Sequence, residues 1–513
     1  MTGRRVFRSS LKWAFVMTWG RRLMGVAVTL VLAAMLGPRT FGVVAIATIF
    51  IYFLQVFLDQ GLATAIVQRE DLEEGHLDSA FWMNVAWSIV LAGAAIGLSS
   101  LWADLNNLPE LRDVTIVLSV TLVLRGLIIV QQSLLQREMR FKQLALRSNV
   151  ATLAGGVTGI ALALSGAGVW ALVAQQIAFD GVSLVLLWAV SDWHPRLSFS
   201  RRHARELLGY SASVLFANLA GFFNRRADAL FLGMLFGPTV VGISRLADRL
   251  VDTVLELTMR PIGLVSLPHF SRLQNDPAGL RGAVTQCVRL TLLAAVPPLM
   301  LLAACSPWVL GVIGEEWVAG SDALVFLCLA GTVKGVVFFT GPLLFAVDRP
   351  GLRAGMLWLI AGISTVSVIV VGVALQDAGE ADQLLGMSAS RAVVFLAIIL
   401  PLNLLIIHRV TGLTPRALVR WLPAPLAAGG AALAIGFGLE ASGLLDGAPP
   451  LVGLAVAGTL AGSATVATLM ALDATVRSQV ARRLPGRKRR GGPRAEPAVP
   501  QVDSPTTGAP GRG

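Results

Sequence analysis

Apolar residues along the chain fall in blocks of about twenty, set apart by short polar stretches. About twenty apolar residues in an α-helix cross the roughly 30 Å of hydrocarbon in a bilayer. The pattern predicts spans at 10–36, 41–63, 78–102, 114–134, 146–165, 167–190, 207–236, 239–263, 284–312, 321–346, 353–375, 383–408, 420–440 and 449–473. The fold class expected is therefore an all-α polytopic membrane protein of about fourteen helices. The last two spans are rich in Ala and Gly, and twelve is the main alternative count. Pro297-Pro298 in the ninth span and Gly341-Pro342 in the tenth interrupt the pattern and are candidate hinges or static bends, because proline removes a backbone hydrogen bond.

Composition agrees: 55% of residues are hydrophobic and 14% charged, where a soluble domain carries about a quarter charged. The net charge of +12 raises nucleic-acid binding as a question, but its position answers it. With a cytosolic N-terminus, the cytosolic connections and both termini hold 31 of the 42 Lys and Arg, and the outer connections only Arg39 and Arg112. That asymmetry is the positive-inside rule, so no nucleic-acid partner is expected. The first span, with Arg21 and Arg22 inside it and no convincing cleavage site, reads as an uncleaved helix. Trp102, Trp170, Trp193, Trp308, Trp317 and Trp421 lie near predicted helix ends, as in an interfacial aromatic belt. Cys287, Cys305 and Cys328 read as small apolar fillers, and five scattered histidines offer no metal-ligand spacing. The outer loops are short, leaving little room for the catalytic site that a membrane glycosyltransferase or polymerase needs.

An internal repeat divides the chain. LGPRTFG (Leu36–Gly42) closes the first span and FGPTVVG (Phe236–Gly242) the seventh, and the pairs Arg21/Arg22 and Arg225/Arg226 precede these turns. Both helices run outward, so the halves are parallel repeats about an axis along the membrane normal, an arrangement transporters use to place a site between halves. The domain division expected is 1–200 (helices one to six), 201–415 (helices seven to twelve), 416–476 (the last pair) and 477–513, a disordered basic cytosolic tail.

Nine basic residues remain once those at span ends are counted with the connections: Arg21, Arg22, Arg125, Arg225, Arg226, Arg245, Arg249, Lys334 and Arg391. At mid-bilayer each costs roughly 2.5–3.5 kcal/mol, so they must pair internally or face a polar cavity. On the eighth span Ser244, Arg245, Asp248, Arg249, Asp252 and Glu256 form one polar stripe at intervals of three and four. Interhelical salt bridging accounts for Arg249, Asp252 and Glu256 as well as a ligand does. For the two arginine pairs no carboxylate on their own helices neutralises both members, and guanidinium suits phosphate. Arg21, Arg22, Arg225, Arg226, Arg245 and Lys334 are therefore the candidate cavity cations for a phosphate-bearing substrate. Asp59, Asp228 and Asp248 are candidate ion-coupling carboxylates.

The blocks Leu36–Glu70, Gln131–Ala145 and Ile243–Gln274 resemble the Wzx-type polysaccharide exporters of the multidrug/oligosaccharidyl-lipid/polysaccharide flippase superfamily. The resemblance runs from residue 10 to about 410. It implies two six-helix lobes in a V around a central cavity, with two further helices at the C-terminal end. It also implies a non-enzymatic flippase that moves an undecaprenyl-diphosphate-linked oligosaccharide across the bacterial cytoplasmic membrane for surface polysaccharide synthesis, its arginines engaging the diphosphate. No cofactor is expected beyond an ion gradient or the membrane potential, and no Walker A sequence is present. Partners would be the lipid-linked oligosaccharide, membrane lipids, and the polymerase and glycosyltransferases of the same pathway. A lipid II flippase and a drug/cation antiporter of the same superfamily are the alternatives.

Overall fold

The computed structural model describes the backbone of residues 2–59, 62–69, 71–208, 211–473 and 477. The side chains of 2–19, 21, 59, 207, 208, 211–214, 217, 224, 225, 227–229 and 415 lie outside the described residues, as does the tail 478–513 that the sequence suggests is disordered. All regular elements among the described residues are helices. The longer ones are α1 (Thr2–Asp59), α2 (Glu74–Leu105), α3 (Glu110–Arg137), α4 (Phe141–Leu164) and α5 (Val169–Val190). A short α6 (Arg201–Leu208) leads to α7 (Ser211–Phe236), α8 (Pro238–Arg272), α9 (Pro277–Ala304) and α10 (Glu315–Ala346). The series ends with α11 (Pro350–Ala374), α12 (Glu380–Thr411), α13 (Pro423–Ala441) and α14 (Pro450–Leu472).

Ten helices among the described residues are long and apolar enough to cross a membrane. One of them, Arg22–Leu58, is two helices joined at a bend: Gly37 has φ 73°, ψ 169° inside α1. The chain is thus an all-helical multi-pass membrane protein. Leu153, Val157, Val185, Val366 and Val370 stay exposed on its surface, which hydrocarbon tolerates and water would not.

The repeat has a direct structural counterpart. Gly237, between α7 and α8, takes φ 85°, ψ 178°, nearly the conformation of Gly37. This left-handed region is open to glycine at little cost and closed to most other residues. Immediately after each bend the two halves cross. A Cβ at Gly42 would overlap the Pro238 carbonyl, and a Cβ at Gly242 would overlap the Pro38 carbonyl. Each Gly-Pro-x-x-x-Gly segment therefore places its glycine against the proline backbone of the other, a reciprocal contact that only small residues permit. Val43, Ile46 and Ala47 on one side and Val240, Val241 and Ile243 on the other extend it into a single buried core.

The two proline interruptions behave differently. Pro297 and Pro298 sit within continuous α9. At Gly341-Pro342 the helix is broken, Ser321–Val336 ending before a new segment Thr340–Ala346. Pro342 occupies the first turn of that segment, where its missing N–H costs nothing. Two of the six belt tryptophans are core residues instead. Trp317 is fully buried, donates from Nε1 to the Ala33 carbonyl at 3.2 Å and meets Phe41 edge-on. Trp102 is buried and stacks on Phe50 at 5.1 Å. Helix ends there are covered by protein, so both rings pack inside, and Trp317 also finds a hydrogen-bond acceptor there. The three cysteines are buried, as fillers should be.

Candidate functional site

The polar stripe on α8 is brought against α1 and α12. Arg22 Nε on α1 lies 3.0 Å from Glu256 Oε2 on α8, and one turn along, the Arg249 guanidinium packs beside Gly25 of α1. Arg22 therefore has a carboxylate partner on another helix, which its own helix does not supply. Asp248 joins two guanidiniums: Arg391 Nη1 of α12 at 2.9 Å and Arg245 Nη1 of its own helix at 3.8 Å. Arg22, Arg245 and Arg391 are each about a quarter exposed. Lys334 of α10 lies 5.6 Å from the ring centroid of Phe395, which begins a π-helical turn in α12. Such a turn marks a local rearrangement of the hydrogen-bond ladder. Here Pro401, which has no N–H to give, falls just beyond it.

A second polar group joins α1, α3, α5 and α7. Arg125 Nε reaches Asp180 at 3.2 Å and Arg125 Nη1 reaches Gln55 Oε1 at 2.5 Å, while Gln176 donates to Asp180 at 3.1 Å. Tyr52 lies between two guanidiniums, Arg226 at 4.2 Å from its ring centroid and Arg125 at 5.7 Å. The quadrupole of the ring attracts both cations. Arg226 belongs to the second half and Tyr52 to the first, so this contact also crosses between halves. Asp180 is almost fully buried, so its charge depends on Arg125.

Of the predicted site residues, Arg22 meets the α8 stripe, Asp248 meets both Arg245 and Arg391, and Arg226 meets Tyr52; Lys334 stands against a different group on α12. The side chains of Arg21, Arg225, Asp59 and Asp228 lie outside the described residues. Tyr52, Gln55 and Gln176 were not singled out from the sequence, since uncharged polar residues within a span carry no signal of their own. A lone tyrosine in an apolar block was the one available hint, because the chain has only two. The histidine reading needs amendment as well: Glu73, His76 and His203 come close enough among the described residues to share a ligand, although the sequence spreads them over 131 positions.

The model of a family described as polysaccharide biosynthesis protein matches residues 31–322. The chain is 27% identical to the succinoglycan biosynthesis transport protein ExoT of Rhizobium meliloti, over 67% of this chain and 69% of that protein. It is 26% identical to the lipopolysaccharide biosynthesis protein WzxC of Escherichia coli, over 66% of this chain and 70% of that one. Its fold is similar to the lipid II flippase MurJ in an inward closed conformation, with TM-score 0.71, 14% identity, and coverage of 91% of this chain and 99% of that one. An inward-facing multidrug transporter of the MATE family and the MOP superfamily matches with TM-score 0.55 and 15% identity, covering 78% of this chain and 99% of the other.

Proposed function

Because the chain belongs to the polysaccharide biosynthesis protein family, we propose that it is a flippase carrying an undecaprenyl-diphosphate-linked oligosaccharide across the bacterial cytoplasmic membrane by alternating access. In this reading it is a transporter without catalytic activity. It crosses the membrane fourteen times with both termini cytosolic, and works beside the polymerase and glycosyltransferases of one surface polysaccharide pathway. Helices to α5 form one lobe, α7 to α12 the other, and α13 and α14 are an appendage. The observation that supports the reading is that guanidiniums stand at contacts between the two halves, Arg22 of the first against Glu256 of the second and Arg226 of the second over Tyr52 of the first.

A diphosphate would compete for these cations by bidentate, charge-assisted hydrogen bonds. Arg22 would exchange Glu256, half-exposed and able to swing away, for a phosphate oxygen. Arg21, Arg225 and Lys334 would complete the cationic lining. No cofactor enters the cycle; an ion gradient or the membrane potential would drive it. Asp59 and Asp228 are then coupling candidates, and Asp248 would couple by exchanging a guanidinium partner for a proton or metal cation. Deleting the gene should leave undecaprenyl-diphosphate oligosaccharide accumulated on the cytosolic leaflet, and an Arg22→Ala/Arg226→Ala chain should insert but not restore export. Normal export in the deletion strain would overturn the reading. Loss of viability with accumulated lipid II would replace it by the peptidoglycan alternative.

A further inference from the structure

Between the two halves the linker 191–208, which includes α6, returns across the start of α2 and is stitched down by specific bonds. The Arg196 N–H and the Ser198 hydroxyl donate to the two oxygens of buried Asp78 at 3.0 and 2.7 Å. The Ser200 N–H donates to Ser79 Oγ at 3.0 Å, and Trp82 Nε1 donates to the Arg196 carbonyl at 2.7 Å. At the end of this seam lies an open cavity of about 610 Å³, whose lining includes Arg69, Asp71, Glu73, His76, His203 and Glu206.

Two short patterns meet there. Glu73-x-x-His76 starts α2 and His203-x-x-Glu206 lies on α6, each pair one turn apart on one helix face. Their imidazoles lie with centroids 4.1 Å apart, the rings tilted by 38°. His203 Nε2 is 3.4 Å from Glu73 Oε2, and His203 Nδ1 is buried without a hydrogen-bond partner. His76 Nδ1 accepts the Glu73 N–H at 3.2 Å, so its proton resides on Nε2, which faces Glu206 at 3.1 Å. That is the carboxylate–imidazole arrangement that fixes the tautomer of a metal-bound histidine and raises its basicity.

We propose that Glu73, His76 and His203 form a binding site for a first-row divalent transition metal, zinc by its donor set, which fastens the inter-lobe linker to α2. Two imidazoles and one carboxylate are a zinc donor set with room for water in a fourth position. Glu206 supports it from behind, accepting hydrogen bonds from His76, Arg202 and Arg69. Charge favours a cation over an anion here. Asp71, Glu73 and Glu206 outnumber Arg69 and Arg202 in the lining, and Glu206 already engages both arginines, at 2.5 and 3.0 Å. Metal binding would give His203 Nδ1 a partner or exchange the Glu73 contact of Nε2 for a metal bond, and His76 would release one amide hydrogen bond.

The test is a zinc titration of the full chain in detergent, purified without a histidine tag and read against a chelating dye, with cobalt(II) absorption as a second probe. One zinc per chain is expected. His203→Ala and Glu73→Gln, each removing a ligand, should weaken it by at least about tenfold, the loss that even an outer-shell change brings, while a chain with Cys287, Cys305 and Cys328 replaced by Ser binds as before. Zinc should also slow amide exchange across 191–208 in the unaltered chain and not in His203→Ala. Glu73 is well exposed, so its variant folds even where a His76 change disturbs the packing. Absence of zinc binding in the unaltered chain, or affinity in Glu73→Gln and His203→Ala equal to that of the unaltered chain, overturns the site.

Discussion

At the scale of single residues, a charge inside a membrane protein can hold the fold or hold the cargo, and the geometry separates the two. Asp180 is nearly fully buried and bonded to Arg125 and Gln176, so removing its carboxylate leaves a guanidinium without its counter-charge. Asp180→Ala should cost about 3–5 kcal/mol, read as a large fall in melting temperature in detergent. Adding Arg125→Met should recover most of that loss; a neutral Asp180→Ala would contradict it. Arg22 differs, since Glu256 opposite it is half-exposed. If Arg22 grips phosphate, Arg22→Ala should weaken cargo binding about ten- to a hundredfold, the worth of a charged hydrogen bond of about 1.5–3 kcal/mol, and Glu256→Gln should leave export intact. Equal loss in both variants would make the pair structural. The charged members of these sites were legible in the sequence because a charge in an apolar block stands out. Their partners were not: Arg22 finds Glu256 234 positions away, and no spacing rule reaches that far.

At the scale of elements, the bends after α7 and within α1 were legible as a repeated Gly-Pro-x-x-x-Gly, but their crossing was not. Local sequence reports the need for a left-handed glycine at 37 and 237; only assembly shows why 42 and 242 must be glycine too. At these two positions any side chain meets backbone, which cannot rotate away as a side chain can. Gly42→Ala or Gly242→Ala should therefore prevent stable assembly, seen as loss of the monodisperse peak in size-exclusion chromatography. Gly93→Ala and Gly97→Ala in α2, where an added methyl meets nothing within 4 Å, should be neutral or stabilise by up to about 1 kcal/mol. Similar losses at all four positions would mean that the crossing is not the tight point of the fold. Helix ends were less legible than helix existence. The stretch 284–312 read as one span and is broken at Cys305, because Pro307 starts a new helix that apolar content alone cannot distinguish from a continuation.

At the scale of the whole molecule, the crossing closes the two halves against each other on one side of the helix bundle, and Trp317 is its latch. The indole comes from the start of α10, in the second half, yet its N–H is satisfied by the Ala33 carbonyl of the first half and its ring abuts Phe41. A transport cycle that opens this end must break that hydrogen bond and expose a fully buried ring, whereas a cycle confined to the other end leaves both untouched. Trp317→Phe keeps most of the ring volume and removes the donor. A net loss of about 1 kcal/mol would then favour the open form about fivefold, because a two-state equilibrium shifts only by the free energy that distinguishes its states. A single reporter cysteine at Ile243, which is buried beside Gly320 at the crossing, in a background with Cys287, Cys305 and Cys328 replaced by Ser, should react with a membrane-impermeant maleimide about five times faster in Trp317→Phe than with Trp317 intact. An unchanged rate would mean that the halves stay joined at this end throughout the cycle. Access would then have to alternate by some motion that leaves the glycine crossing closed, contrary to a rocking of two lobes about a central site.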